Sequence, residues 1–166
     1  MHKAPHPELA MDSFEQLWAM QPEAFTAFMR SSGEESPQSR SPLDSEPDDL
    51  PPYEFVNNVA VIPVEGVIMR RSFFSTGLKD ISAALDAALA APEVRAILFS
   101  IHSPGGQARG AKEVADAIFA ARRVKPCAAW VDGLCASAAY WLASATGAVY
   151  AGPSAEVGSI GVILRH

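Results

Sequence analysis

From Val59 onward the chain alternates short apolar runs with apolar residues at helical spacing. VAVIPV at Val59–Val64 reads as a strand, and GVIM at Gly66–Met69 as a second short one. Leu78, Ile81, Leu85 and Leu89 recur every three to four positions, predicting a helix over Leu78–Ala90 that stops before Pro92. AILFSI at Ala96–Ile101 is an apolar strand, and Ala108–Arg122 a helix with Val114, Ile118 and Phe119 facing inward. Arg122 and Arg123 stand at that helix's C-terminus, where cations suit the dipole. Cys127–Val131 reads as a strand, Ala136–Thr146 as a helix, Ala148–Ala151 as a strand and Ile160–Leu164 as a further one. Strands alternating with helices predict an α/β domain with a mostly parallel sheet.

Upstream the pattern changes. Over 12–30, Phe14, Leu17 and Trp18 recur at helical spacing, and Phe25, Phe28 and Met29 do so after Pro22, predicting a short amphipathic helix. Such a helix either docks on its own domain or serves a partner or neighbouring subunit. Residues 31–54 contain 6 Ser, 5 Pro and 7 acidic residues against one Arg. Nothing there can bury enough apolar surface to offset chain entropy, so the stretch is expected to be a disordered linker. The expected organisation is an N-terminal helical extension (1–30), a linker (31–54) and a folded domain (55–166).

Composition narrows the classes. The 166 residues are 49% hydrophobic, enough for one domain with a core and too few for two. Two cysteines exclude a disulfide scaffold, and with no Cys/His cluster no metal site is expected. The net charge of −6 argues against a nucleic-acid partner. It is unevenly spread, with −8 over residues 1–58 and +2 over residues 59–166. Pro5, Pro7 and Glu8 interrupt the N-terminus, so no signal peptide is read there. The uncharged stretch Gly133–Ala155 is mostly Ala, with Gly, Ser and Thr interspersed, and reads as a buried helix and strand rather than a membrane span. A cytoplasmic setting is expected.

Two loops at strand C-termini could carry chemistry. In Ser103-Pro104-Gly105-Gly106, paired glycines free backbone N–H groups to meet an oxyanion. A plain strand-to-helix turn would use the same residues. In the second, Asp132 to Tyr140, Ser137 opens a helix of small residues. It could be an N-cap bonding an orphan N–H, or a nucleophile favoured by the dipole and by close approach.

Taken together, SPGG, then ASAAYWLAS about thirty residues later, then AEVGSIGV from Ala155 resemble one family. It is the serine–lysine peptidases that comprise signal peptide peptidase A and the phage capsid maturation proteases. MDSFEQLWAMQPEAF at the N-terminus resembles the phage and prophage branch. The resemblance implies a Clp-protease/crotonase-like α/β fold of repeated β-β-α units, here incomplete at the C-terminus. It implies Ser137 as nucleophile, Gly105 or Gly106 with the N–H of Ala138 as oxyanion hole, and Ser159 as the serine that orients the base. Many relatives have Gly where Ala138 stands, a mild change. No cofactor is implied. Polypeptide substrates (capsid, scaffold or portal precursors) and a homo-oligomer are.

The family's base is a lysine, held neutral by burial. Lys3, Lys79, Lys112 and Lys125 match it neither in position nor in setting, so the base is expected beyond residue 166. His102 is explained by strand-end packing; His2 and His6 lie in the tail, and His166 lacks an orienting partner. Cys135 reads as core filler. Two other functions fit parts of the pattern: a catalytically inactive fragment acting as an assembly module, and a crotonase-type acyl-CoA enzyme, which needs no nucleophilic serine.

Overall fold

The computed structural model describes residues 17–20, 51–70 and 76–164. Its strands are β1 (Leu17–Met20), β2 (Glu54–Val56), β3 (Val59–Glu65), β4 (Ala96–Ser103), β5 (Gly105–Gln107), β6 (Cys127–Ala136), β7 (Ala148–Ala151), β8 (Glu156–Gly158) and β9 (Ile163–Leu164). The helices are α1 (Leu78–Ala90), α2 (Ala111–Ala121) and α3 (Ala138–Ser144). The main sheet runs β2-β3-β4-β6-β7. Only the β2–β3 hairpin is antiparallel; β3–β4, β4–β6 and β6–β7 are parallel. This is the α/β domain with a mostly parallel sheet that the pattern predicts.

Each parallel crossover has the same composition. A strand is followed by a short second segment and then by a helix: β3, the bridges at Ile68 and Met69, α1; β4, β5, α2; the long β6, α3. The core lies between the helices and one sheet face. Ala60, Ile62 and Val64 of β3, Ile97, Phe99 and Ile101 of β4, and Ala129 and Val131 of β6 meet Ile81, Leu85, Ile118 and Leu142, all fully buried. Burial alternates along β3 and β4, so the apolar run AILFSI is buried on one face only. The opposite face carries half-buried Leu98 and exposed Trp130 and Tyr150.

Several expectations need correction. The helical spacing over 12–30 gives way at Leu17–Met20 to a strand, antiparallel to both β5 and β9. Two flanking backbone ladders outweigh local periodicity there. The remainder of 12–30, and 31–50 of the linker, lie outside the described residues. The first strand of the main sheet begins at Glu54, one residue inside the stretch expected to be linker. Gly66–Met69 contributes isolated bridges to Gly106 and Gly77 rather than a strand. Phe119 is exposed beneath the Arg122 guanidinium, 4.1 Å from its ring centroid, because the α2 stripe that reaches the core is Ala111, Val114, Ala115 and Ile118. Within Gly133–Ala155 the expected helix and strand are present as the seven-residue α3 and β7, after the end of β6, and among the described residues no helix is long and apolar enough to cross a membrane.

The central strand makes this core testable. Phe99 is 1% exposed in the middle of the parallel ladder. Phe99→Ala should lower the unfolding free energy by about 3–5 kcal/mol in urea titration. A loss below about 1 kcal/mol would contradict its placement under the helices.

Candidate active site

The site begins with a register jump. Ile101 pairs with Val131, but the next pair is Ser103 with Cys135, so two residues of β4 span four of β6. The surplus falls at Asp132–Leu134, where Gly133 adopts φ +97. The His102 ring packs against Gly133, where a Cβ would come within 2.9 Å of it, and Nδ1 of His102 hydrogen-bonds the Asp132 carbonyl. His102 therefore braces a bend, the packing role its strand-end position suggests. Past the register shift β6 pairs in parallel with β8 through Leu134–Ala136.

β6 ends at Ala136 and turns within one residue into α3. That residue is Ser137, at φ +55 and ψ −113, a region costly for any side chain with a Cβ. A strained serine at a strand-to-helix turn is the arrangement that lifts a nucleophile clear of its own backbone. Ala138, Ala139 and Ala143 are fully buried, so small side chains let α3 close on the core immediately after the turn. The Ser137 N–H donates to the Gly158 carbonyl at 2.8 Å, and Oγ donates to the Gly161 carbonyl at 3.1 Å. Ser137 is 6% exposed. Its side chain does not cap the helix, so the N-cap reading fails. The N–H of Ala138 belongs to the first turn, which has no acceptor inside the helix.

The second loop lies next to this turn, with Ser103 opposite Cys135 and α3 against β5. Ser103, fully buried, donates from Oγ to the Gly66 carbonyl at 2.7 Å and accepts from the Gly105 N–H at 3.1 Å. Ile68 N–H donates to Gly105 O (2.9 Å), and Gln107 N–H to Ile68 O (2.8 Å). The Ile68 backbone passes so close to Gly106 that a Cβ there would lie 1.8 Å from the Ile68 carbonyl oxygen. Glycine is obligatory at 106 for packing alone. The sequence contains Ser103 in its motif, yet only the fold reveals it as the brace of the loop.

GSIG supplies the carbonyls around Ser137. Gly158 and Gly161 hold its N–H and Oγ, and Ser159 between them is exposed at φ +53. Thus the three motifs converge, with Ser137, Gly158 and Gly161 in direct contact. The described lysines lie elsewhere. Lys79 is exposed on α1; exposed Lys112 pairs with Asp116, whose hydrogen bond raises its pKa. Lys125 donates to the carbonyls of Ala88 and Ala91 at the end of α1 (2.7 and 2.6 Å). Among the described residues no group of His, Cys, Asp and Glu could hold a metal. Lys3, His2, His6 and His166 lie outside the described residues.

Comparison with known proteins gives this geometry a context. Residues 120–166 match the family model described as Peptidase family S49. The chain is 42% identical over 120 residues to the head-tail preconnector protein GP5 of Enterobacteria phage P21, covering 69% of this chain and 24% of that protein. It is 36% identical over 120 residues to the capsid assembly protease C of Escherichia phage lambda, covering 69% and 27%. A crystal structure of an enoyl-CoA hydratase/isomerase family member superimposes at TM-score 0.49 and 18% identity over 59% of this chain and 45% of that one. The sequence resemblance to the S49 peptidases and to phage capsid proteins is thereby borne out, and the chain spans about a quarter of the length of these phage relatives.

Two measurements probe the turn. Ser137→Ala keeps the strained backbone and loses the Oγ bond, whereas Ser137→Gly loses both the bond and the strain. The glycine variant should be the more stable of the two by about 1 kcal/mol or more in urea titration, and the reverse order would contradict a strained turn. Burial pushes the Cys135 thiol up from 9.0 to about 12, and raises Cys127 as well. The folded state therefore holds these protons after the unfolded chain has released them. The stability they contribute is fully present below pH 9 and is lost as pH rises toward about 12. Iodoacetamide at pH 8 should leave both thiols unmodified in the folded protein, and rapid labelling of Cys135 would contradict its burial.

Proposed function

We propose that this chain forms the nucleophile-bearing part of a serine–lysine endopeptidase that processes phage head precursors. One observation carries the reading. Ser137 sits at a strained strand-to-helix turn, contacted by GSIG and adjoining α3, which packs on the glycines of SPGG. The S49 match and the two phage relatives support it.

In the proposed reaction the Ser137 oxygen attacks the scissile carbonyl carbon. A neutral lysine takes the hydroxyl proton and passes it to the leaving amine as the peptide C–N bond breaks. The oxyanion accepts hydrogen bonds from the N–H of Ala138 and from the glycine pair. Of that pair Gly106 is the better donor, because Ser103 Oγ already takes the Gly105 N–H. Water then hydrolyses the acyl-enzyme and frees Ser137. Ser159 orients the lysine, which comes from outside the described residues, since Lys79, Lys112 and Lys125 are engaged or exposed elsewhere. The substrates are capsid, scaffold or portal precursors, and neighbouring subunits complete the groove in a homo-oligomer within the host cytoplasm or prohead.

A second reading, an assembly module without turnover, is favoured by the Ser137 Oγ bond to the Gly161 carbonyl, which occupies the proton a base must take. An acylating fluorophosphonate and a broad peptide pool separate the two. A form carrying the downstream lysine should acylate at Ser137 and cleave. Residues 1–166 alone should be slower by about 10³-fold or more, the cost of losing one member of a catalytic set. Ser137→Ala should abolish both signals. Labelling that persists in Ser137→Ala, or none in the lysine-bearing form, would reject the peptidase reading.

A further inference from the structure

A second, three-stranded sheet runs β5-β1-β9, with β1 antiparallel to both neighbours. Trp18, Ala19 and Met20 lie opposite Gln107, Gly106 and Gly105, while Leu17 and Trp18 lie opposite Leu164 and Ile163. β5 and β9 are therefore joined through β1. Without β1 they would stand two strand spacings apart, about 9.5 Å, presenting two facing rows of backbone donors and acceptors. A single extended polypeptide fills such a gap and satisfies both rows.

The gap is framed by the catalytic segments. β9 begins two residues after Gly161, whose carbonyl accepts the Ser137 hydroxyl. On the other side, Gly105 O and Gln107 N–H both bond to Ile68. Backbone groups of successive strand residues point to opposite sides, so the N–H and C=O of Gly106 face β1 across from Ala19. The donor assigned above to the oxyanion is thus directed at Ala19.

We infer that Leu17–Met20 is a resident occupant of the slot between β5 and β9, which an incoming extended polypeptide must displace. That the displacing strand is a substrate rests on the peptidase reading; the slot itself does not. Recognition in it is by main chain, hence tolerant of sequence. The occupant is only four residues long and reaches the slot from a part of the chain that stands 85 positions before Gly105. A strand of that length is held by few bonds, which makes exchange feasible. While it is bound, the oxyanion donor is turned to Ala19 and the slot is closed to other strands. The apparent affinity for an external strand then falls by the fraction of molecules whose slot is empty.

The test uses the full 166-residue chain and a fluorescein-labelled synthetic peptide of residues 14–23, titrated by anisotropy. Ala19→Pro removes the N–H opposite Gly106 and should bind the peptide about tenfold more tightly than the parent chain, or better. Amide exchange at Gly106 should accelerate in the variant and slow again when peptide is added. Trp18→Gly keeps every backbone donor and should shift affinity in the same direction by less, which covers a loss of folding in the proline variant. Affinities within threefold across all three proteins, or Gly106 exchange that ignores the substitution, would overturn the slot. Tighter binding in Ala19→Pro with no acylation of Ser137 in a lysine-bearing form would overturn the peptidase reading and leave the slot standing. Acylation with unchanged affinities would do the opposite.

Discussion

The site depends on the mismatch between β4 and β6. Up to Ile101 and Val131 the two strands run in step, and the parallel ladder fixes them as rigid members of the sheet. Beyond that pair β6 has two residues more than β4, so it must bend, and the bend is locked by Gly133 and the His102 ring. A straight β6 would carry Ser137 onward in the plane of the sheet. The shifted end of β6 pairs with β8 instead, and Ser103 of the SPGG segment lies opposite Cys135. The bonds of Ser137 to Gly158 and Gly161 follow from that pairing.

Around the Ser137 hydroxyl the proposed site is mostly backbone. The carbonyls of Gly158 and Gly161 hold Ser137, the buried Ser103 hydroxyl braces the glycine loop, and the N–H groups of Ala138 and Gly106 are the proposed oxyanion donors. Backbone dipoles held in a packed frame need no reorganisation when charge develops, which is what an oxyanion requires. They cannot accept the serine proton for transfer onward, however. A working peptidase built on this frame needs one titratable group, and the described lysines are committed to the end of α1, to Asp116 or to solvent.

The same frame explains why a strand from the N-terminal region reaches the site. β5 and β9 are short and are joined in one sheet only through β1, which pairs with both. An edge that attracts polypeptide is a hazard in most proteins and an asset in one that must hold a polypeptide. Leu17–Met20 covers it.

Periodicity alone was sufficient for α1, β3 and β4, because each buries one apolar face and its neighbours in sequence decide its type. Ser137, SPGG and GSIG were legible as ordered motifs, which told that they belong together without telling how. The helical spacing of Leu17 and Trp18 misled, since a strand paired on both sides takes its conformation from partners 85 or more residues away. Phe119 misled for a simpler reason: α2 packs through the stripe Ala111, Val114, Ala115, Ile118 and Ala121, and an aromatic one position off it is left under an arginine. The positive φ of Ser137, the brace at Ser103 and the collision that demands Gly106 arise where separate segments cross. Local sequence determines which element a segment prefers and which face is apolar. Only the packed fold decides how closely two backbones pass, and in this protein the site is made by that distance.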